Sequence, residues 1–468
     1  MRAEPLSLRE QARRALDDGE LQRALAVVRR GWQDTRRRAI DELPEFDELR
    51  EIGARIRDHV LAHLDIYLER FAERVRTAGG EVHVARDAAE ARALVLRLLE
   101  QHRARRVTKS KSMVCEEIGL AEAMEEAGLE RVETDLGEYI IQLAGERPSH
   151  LIGPAVHITQ ERIRDLFARH HQSDPDNTPE ALVAEARQVL RRHYLEADAG
   201  ITGANFLVAD TGSVITVTNE GNAELTQGLP RLHIVVAGIE KLVPRMEDAF
   251  TLLRLLARSA TGQEFSAYTT IITGPRREGD LDGPEAFHVV LVDNGRSDLL
   301  ATRFRPILRC IRCGACMNHC PVYLAIGGHA YGWVYVGPMG AVLTPHFLGI
   351  EKAYPLPEAS TFCGRCEEVC PVRIPLPGLL RYWREEAFRR RVHGPSVRAG
   401  LGIWAWIALR PRLYRFVVGL ASWSLRALGG RRGRIRRLPG ASGWTRSRDF
   451  PAPEGGGFVA GWNRGRRR

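Results

Sequence analysis

The sequence predicts an α/β domain built on a parallel sheet, followed by a smaller α-helical domain rich in cysteine. Three observations predict it. From about residue 79 to 298, short β-branched runs alternate with helical stretches long enough to cross a parallel sheet. Beyond residue 305 the texture changes to Cys, Gly and Pro with short helical segments. Seven of the eight cysteines lie between 310 and 370.

The elements follow in order. Residues 1–78 read as an N-terminal helical segment, because apolar positions recur at three and four in LQRALAVV and in FDELREIGARIRDHVLAHLDIYLERFAERV. The α/β domain is assigned to 79–304. EVHVA (81–85) reads as a strand, DAAEARALVLRLLEQH as a helix opened by Asp87, and RVTKS as a strand entering a loop. EEIGLAEAMEEAG reads as one helix stopped by Gly128, RVETD as a strand and HLIGPAV as a further apolar strand. Helices are expected at about 159–170 and 178–197. GITGANFLVADTGSVITVTNEGN (200–222) then reads as a hairpin, with FLVAD and SVITVT flanking Thr211 and Gly212. HIVVAG, a helix around MEDAFTLLRLLARS, AYTTIIT and FHVVLVD complete the domain. The cysteine-rich domain is assigned to 305–395. An amphipathic Trp/Arg-rich helix follows at 396–425, and a basic tail, expected to be disordered, at 426–468.

Composition narrows the function classes. A length of 468 residues, with 44% hydrophobic and 27% charged residues, suits two or three globular domains and excludes global disorder. The net charge of +9 suggests nucleic acid only if it lines a folded groove. It does not: residues 426–468 hold twelve Arg against Asp449 and Glu454, so the other 425 residues sum to −1. No nucleic-acid partner is expected. The N-terminus lacks the apolar core of a signal peptide, and no apolar run reaches the ~18 residues of a span, so a cytoplasmic location is expected. Interleaved Trp, aliphatic and Arg residues before the tail leave peripheral membrane contact through 400–468 open, at the inner face. The alternative is a helix packed on the preceding domain.

The strongest motif is Cys310-x2-Cys313-x2-Cys316-x3-Cys320-Pro321, with Cys363-x2-Cys366-x3-Cys370-Pro371 after it. This is the spacing of bacterial-type ferredoxins, in which the fourth Cys of a run serves the other cluster. Two intervening residues let the backbone curl so that successive thiolates reach adjacent iron corners. On that logic Cys310, Cys313, Cys316 and Cys370 hold the first iron–sulfur cluster, and Cys320, Cys363 and Cys366 the second. Three before Cys363 stands Ser360, so the second cluster has only three Cys ligands. Both are expected as [4Fe–4S], with the fourth ligand and nuclearity of the second left open; Cys115 is a distant candidate ligand, though a lone Cys is usually a buried hydrophobe. Zinc prefers paired C-x2-C motifs, and disulfides fit badly with a cytoplasmic chain.

Other residues carry weaker signals. TKSKS (108–112) holds two of only four Lys, the others being Lys241 and Lys352, and leaves a strand at the sheet edge where anions bind. A solvated loop is the alternative. Glu133, Asp135 and Glu138 read as helix caps before they read as catalytic groups. His329, in the Gly-rich link between the Cys runs, reads as structural, and the five Gly there imply close backbone approach. ITGAN and VADTGS have too few Gly for a nucleotide site.

Together, TKSKSMVCEEIGL (108–120), VETDLGEYIIQLAGERPSHLIGPAVH (132–157), GITGANFLVADTGSVITVTNEGN (200–222), CIRCGACMNHCPVY (310–323), IGGHAYG (326–332), GPMGAVLTP (337–345) and CGRCEEVCPV (363–372) resemble the lactate utilization protein B family, the iron–sulfur subunit of an L-lactate utilization system. The resemblance spans about 108–375. It implies a lactate-utilization α/β domain, similar to the sugar-phosphate isomerase and CoA-transferase fold, then an α-helical ferredoxin-like domain with the seven Cys as cluster ligands. It also implies two partner proteins of the same system and the oxidation of L-lactate to pyruvate, with this chain as electron carrier and no catalytic residue of its own. The Arg-rich tail departs from the family pattern. The alternative is a self-contained hydroxy-acid oxidoreductase, with TKSKS as its carboxylate clamp.

Overall fold

The computed structural model describes residues 7–173, 176, 178–438, 440, 441, 443–445, 448–454, 461, 462 and 465. They divide into two compact units, Met1–Ala387 and Phe388–Arg468.

The first unit opens with helices α1 (Leu8–Asp17), α2 (Gly19–Asp41), α3 (Phe46–Ala62) and α4 (Leu64–Thr77). Asp18 caps α2 through the N–H groups of Glu20 and Leu21. There follow β1 (Glu81–Ala85), α5 (Ala88–Gln101), β2 (Arg106–Lys109), α6 (Met113–Ile118), α7 (Leu120–Glu126), β3 (Glu130–Glu133), α8 (Leu136–Ala144), α9 (Gln160–His171), α10 (Pro179–Glu196) and β4 (Ala199–Thr202). Next come β5 (Phe206–Val208), β6 (Ser213–Thr218), α11 (Asn222–Gly228), β7 (Leu232–Gly238), β8 (Leu242–Val243), α12 (Met246–Ala260), β9 (Tyr268–Ile272), β10 (Ala286–Val292) and α13 (Arg296–Leu300).

Six strands form a wholly parallel sheet in the order β1-β10-β7-β4-β2-β3. Every residue of central β7 is buried, the mark of a strand covered on both faces. One face packs on α5–α7 through Val95, Leu99, Ile118 and Leu120. The other packs on α4 and the hairpin through Phe71, Val75, Leu207 and Val214. The hairpin β5–β6 belongs to a second sheet, β8-β5-β6-β9, with Val208 paired to Ser213 across the expected turn.

Three expectations in the α/β part need correction. The stretch 150–156 is a loop, because the N–H groups of Ile152 and Gly153 donate to His150 Nδ1 at 3.0 and 3.2 Å rather than to a strand. The helix at 116–128 is two helices, divided where Gly119 turns left-handed at φ +67°. β4, read as part of the hairpin segment, is a central strand of the parallel sheet.

The cysteine-rich part is made of short helices α14 (Ala315–Asn318), α15 (Tyr323–Ile326), α16 (Gly337–Leu348), α17 (Ile350–Ala353), α18 (Pro355–Glu358) and α19 (Arg365–Glu368), closed by α20 (Leu376–Arg389). In the second unit, α21 (Pro395–Ala408) and α22 (Pro411–Gly429) replace the single helix expected at 396–425. Pro411 has no N–H to continue α21 and starts α22 instead. Part of the 426–468 tail is ordered: β11 (Arg434–Ile435) pairs antiparallel with β12 (Phe450–Pro451). Positions 439, 442, 446, 447, 455–460, 463, 464 and 466–468 of that tail lie outside the described residues.

Candidate iron–sulfur centre

The two cysteine runs fold as matched loops. Arg312 and Phe362, each just before a Cys, are left-handed at φ +61° and +53°; Gly314 and Gly364, each just after, are at +74° and +81°. Short helices α14 and α19 follow at equivalent places. These conformations curl the peptide N–H groups inward. Arg312 N donates to Cys310 Sγ at 3.4 Å, and Ile374 N to Cys370 Sγ at 3.4 Å. By this correspondence Ser360 stands where the first run has Cys310. Its Oγ accepts the Phe362 N–H at 3.2 Å, and its carbonyl accepts from Arg384 at 2.7 Å.

The thiols sort into two neighbouring groups. Cys310, Cys313, Cys316 and Cys370 line one small cavity together with Met339 and Leu376. Burial pushes the Cys370 thiol up to about 11, with Cys310 adding to the shift. In the other group, burial pushes the Cys366 thiol up to about 12, reinforced by Cys320 and Cys363. Thiols in such surroundings stay protonated unless a cation takes them as thiolates, so the donor set suits a soft metal cluster. Cys115 belongs to neither group. It lies in the core under the sheet, where burial pushes it to about 12 and its charged neighbours are Lys109, Glu116 and Glu133.

The N-terminal helices hold these loops from outside. Arg36 Nη2 donates to Val369 O at 3.0 Å; Arg50 Nε reaches Cys370 O at 3.0 Å and its Nη2 reaches Glu368 O at 2.6 Å. Arg57, 1% exposed, ties Leu242 O (2.7 Å) and Leu308 O (3.0 Å) together, and also bonds to Glu240 O. A buried chain of alternating charge reaches the first loop from the α/β side. Glu117 binds Arg296 in a two-pronged pair at 2.8 and 2.7 Å, Arg296 Nε meets Glu240 Oε2 at 2.7 Å, and Glu240 Oε1 faces Arg312 at 3.4 Å. Burial favours a neutral Glu240, but Arg296, Arg312 and Lys241 outweigh it and hold the carboxyl down at about 2. Sequence reading missed this chain and the arginine clamps, because their members are dispersed among 64 arginines and 59 acidic residues.

The weaker signals resolve as well. Lys109 of TKSKS is fully buried inside a cage of Glu133 (2.9 Å), Glu116 (3.2 Å) and Glu138 (3.5 Å), so it is structural. Asp135 caps α8 through the Glu138 N–H at 3.1 Å, as expected, and also meets Lys111. His329 Nε2 donates to Arg147 O at 2.6 Å. Gly328 passes so close to the 149–153 loop that a Cβ there would stand 1.8 Å from Ser149 O, which accounts for a glycine at that point.

Comparison with known proteins agrees with this architecture. Residues 68–292 match the LUD domain family, and 306–374 match the 4Fe–4S dicluster domain. "Lactate utilization protein B" of Geobacillus kaustophilus (strain HTA426) is 45% identical over 95% of this chain and 94% of its own length. The protein of that name from Bacillus subtilis (strain 168) is 42% identical over 96% and 94%. The "uncharacterized electron transport protein YkgF" of Escherichia coli (strain K12) is 42% identical over 95% and 94%. With its iron–sulfur dicluster domain and these relatives along nearly its whole length, the chain belongs to the lactate utilization protein B family.

Proposed function

We propose that the chain is an iron–sulfur electron carrier in the oxidation of L-lactate to pyruvate, working beside two other lactate-utilization proteins and passing electrons to an acceptor outside itself. The observation that carries the reading is the pair of matched cysteine loops with inward peptide N–H groups. Cys310, Cys313, Cys316 and Cys370 would hold one cluster; Cys320, Cys363 and Cys366 would supply three ligands of the other. When bound, such clusters accept and release single electrons. The chain's own residues set the surroundings: Arg36, Arg50 and Arg57 fix the loop carbonyls, and the peptide N–H groups at Cys310 and Cys370 stabilise sulfur charge.

Anaerobically purified protein tests this. We expect about seven to eight iron atoms per chain, with Cys313→Ala and Cys366→Ala each losing about half and showing different residual EPR signals. Dithionite should reduce the protein, whereas lactate should do so only with the partner proteins. Reduction by lactate alone would establish the self-contained enzyme instead.

The second unit supports a peripheral contact with an anionic phospholipid surface. Between Glu386 and Asp449 there are fifteen Arg and no acidic residue. On α21 and α22 the side chains of Trp404, Trp406, Phe416 and Trp423 are more than half exposed. Among the described residues no helix is long and apolar enough to cross a membrane, so these side chains suit the interface and not the hydrocarbon centre.

A further inference from the structure

The two cysteine runs repeat one another fifty residues apart, and their ligand positions differ only at Ser360. Cys310, Cys313, Cys316 and Cys320 answer to Ser360, Cys363, Cys366 and Cys370, and a Pro follows the last Cys of each run. The backbone keeps the same register. Cys310 N donates to Ile307 O at 3.1 Å, and Ser360 N to Pro357 O at 3.3 Å. Met317 N donates to Gly314 O at 2.9 Å, and Glu367 N to Gly364 O at 3.0 Å. Cys320 N and Cys370 N close the turns on Met317 O at 3.0 Å and on Glu367 O at 3.2 Å.

The side chains match as well. Arg312 N donates to Cys310 Sγ at 3.4 Å, and Phe362 N donates to Ser360 Oγ at 3.2 Å. The peptide N–H two residues on is thus aimed at a thiol in the first loop and at a hydroxyl in the second. Arg384 of α20 fixes the backbone around that hydroxyl. Its guanidinium donates to Pro357 O, Glu358 O and Ser360 O at 2.9, 2.9 and 2.7 Å, and lies 4.1 Å from the Phe362 ring centroid. No described residue accepts the Ser360 hydroxyl proton, so its loss breaks no hydrogen bond among them. Other donors near the second loop are engaged. His319 gives its Nδ1–H to Ala315 O at 2.9 Å, and Glu368 pairs with Arg365.

The 4Fe–4S dicluster domain sets the count. Two four-iron clusters take four protein ligands each, and the two runs supply seven cysteines. We propose that Ser360 is the eighth ligand, bound to the second cluster through Oγ beside Cys320, Cys363 and Cys366. This rests on the two ligand sets of the electron-carrier reading. On binding, the Oγ–H bond gives way to an iron–oxygen bond and the proton passes to solvent; no electron moves. An alkoxide is a harder donor than a thiolate and favours the more oxidised iron. Ser360 therefore holds the second cluster at a lower potential than a cysteine in its place would. The two clusters become unequal electron acceptors.

Full-length protein purified without oxygen and reconstituted with iron and sulfide tests the proposal. The wild type should hold about eight iron atoms per chain and, when oxidised, show no three-iron EPR signal. Ser360→Ala should hold about seven and show that signal or, where a solvent ligand fills the place, hold about eight with a shifted midpoint potential for the second cluster. Ser360→Cys should keep about eight and raise that potential. If Ser360→Ala sheds the whole second cluster, the potential of Ser360→Cys decides. A three-iron second cluster in the wild type would overturn the proposal. So would either variant with iron content, EPR signals and potentials equal to the wild type's. A three-iron signal in His319→Ala but not in Ser360→Ala would give the ligand to His319 instead. Iron content separates the two readings. A wild type with only about four iron atoms loses the two-cluster assignment itself. One with both clusters, indifferent to Ser360, loses this ligand alone.

Discussion

Arg50 places one guanidinium on the carbonyls of Cys370 and Glu368 from a helix more than 300 residues earlier in the chain. Its side chain is 7% exposed, so water cannot replace it. Hydrogen bonds from a charged donor contribute about 1.5–3 kcal/mol. We therefore expect Arg50→Gln to lower unfolding stability by about 2–3 kcal/mol, measured by urea denaturation of the iron-loaded protein. His233 makes a different residue-scale prediction. It is fully buried in β7 with its Nε2 2.8 Å from Thr202 Oγ1, and burial alone pushes it down from 6.5 to about 3. The folded state keeps it neutral where the unfolded chain takes up a proton. Its contribution is therefore complete above about pH 6.5 and is lost as pH falls toward 3. His233→Leu should flatten the fall of stability between pH 6.5 and 4, whatever its effect at neutral pH. A slope equal to the wild type's would sink that assignment.

At the scale of elements, α2 and α3 hold the cysteine loops, and the hairpin of α21 and α22 carries the exposed aromatic surface. Hydrogen exchange should show the first coupling: removing iron should cost protection in 365–374 and also in α2 and α3, whose arginines bond to that segment. The hairpin should float with vesicles containing phosphatidylglycerol but not with pure phosphatidylcholine. Trp404→Ala together with Trp423→Ala should reduce the bound fraction several-fold, and 0.5 M salt should do the same if Arg–phosphate attraction contributes, the screening length then being only about 4 Å. Most elements of the α/β part were legible because their apolar spacing separates strand from helix. The loop at 150–156 was not: its apolar residues imitate a strand, but the His150 ring, held at Nε2 by the distant Asn318, accepts the Ile152 and Gly153 N–H groups at Nδ1.

For the whole molecule, local chemistry and long-range placement divide the account. The seven cysteines were legible because cluster ligation demands short, ordered spacing, which a linear sequence displays directly. The neutral body and the basic end were legible too, since charge is counted residue by residue. Ser360 could be seen as the missing Cys, but its match to Cys310 in loop geometry needed the left-handed residues on either side of Cys313 and Cys363. TKSKS looked like one feature, yet burial sends Lys109 into a carboxylate cage and leaves Lys111 on the wall of a cavity at the carboxyl end of the parallel sheet. Lys241 and Arg312 carried no signal at all. They lie 71 residues apart, on a sheet edge and a cysteine loop, and become neighbours of one cavity only when both parts pack together. Spacing along the chain thus specifies ligands that act within one loop. A pocket assembled from separate strands depends on which ends the sheet order brings side by side, and that is decided by tertiary packing.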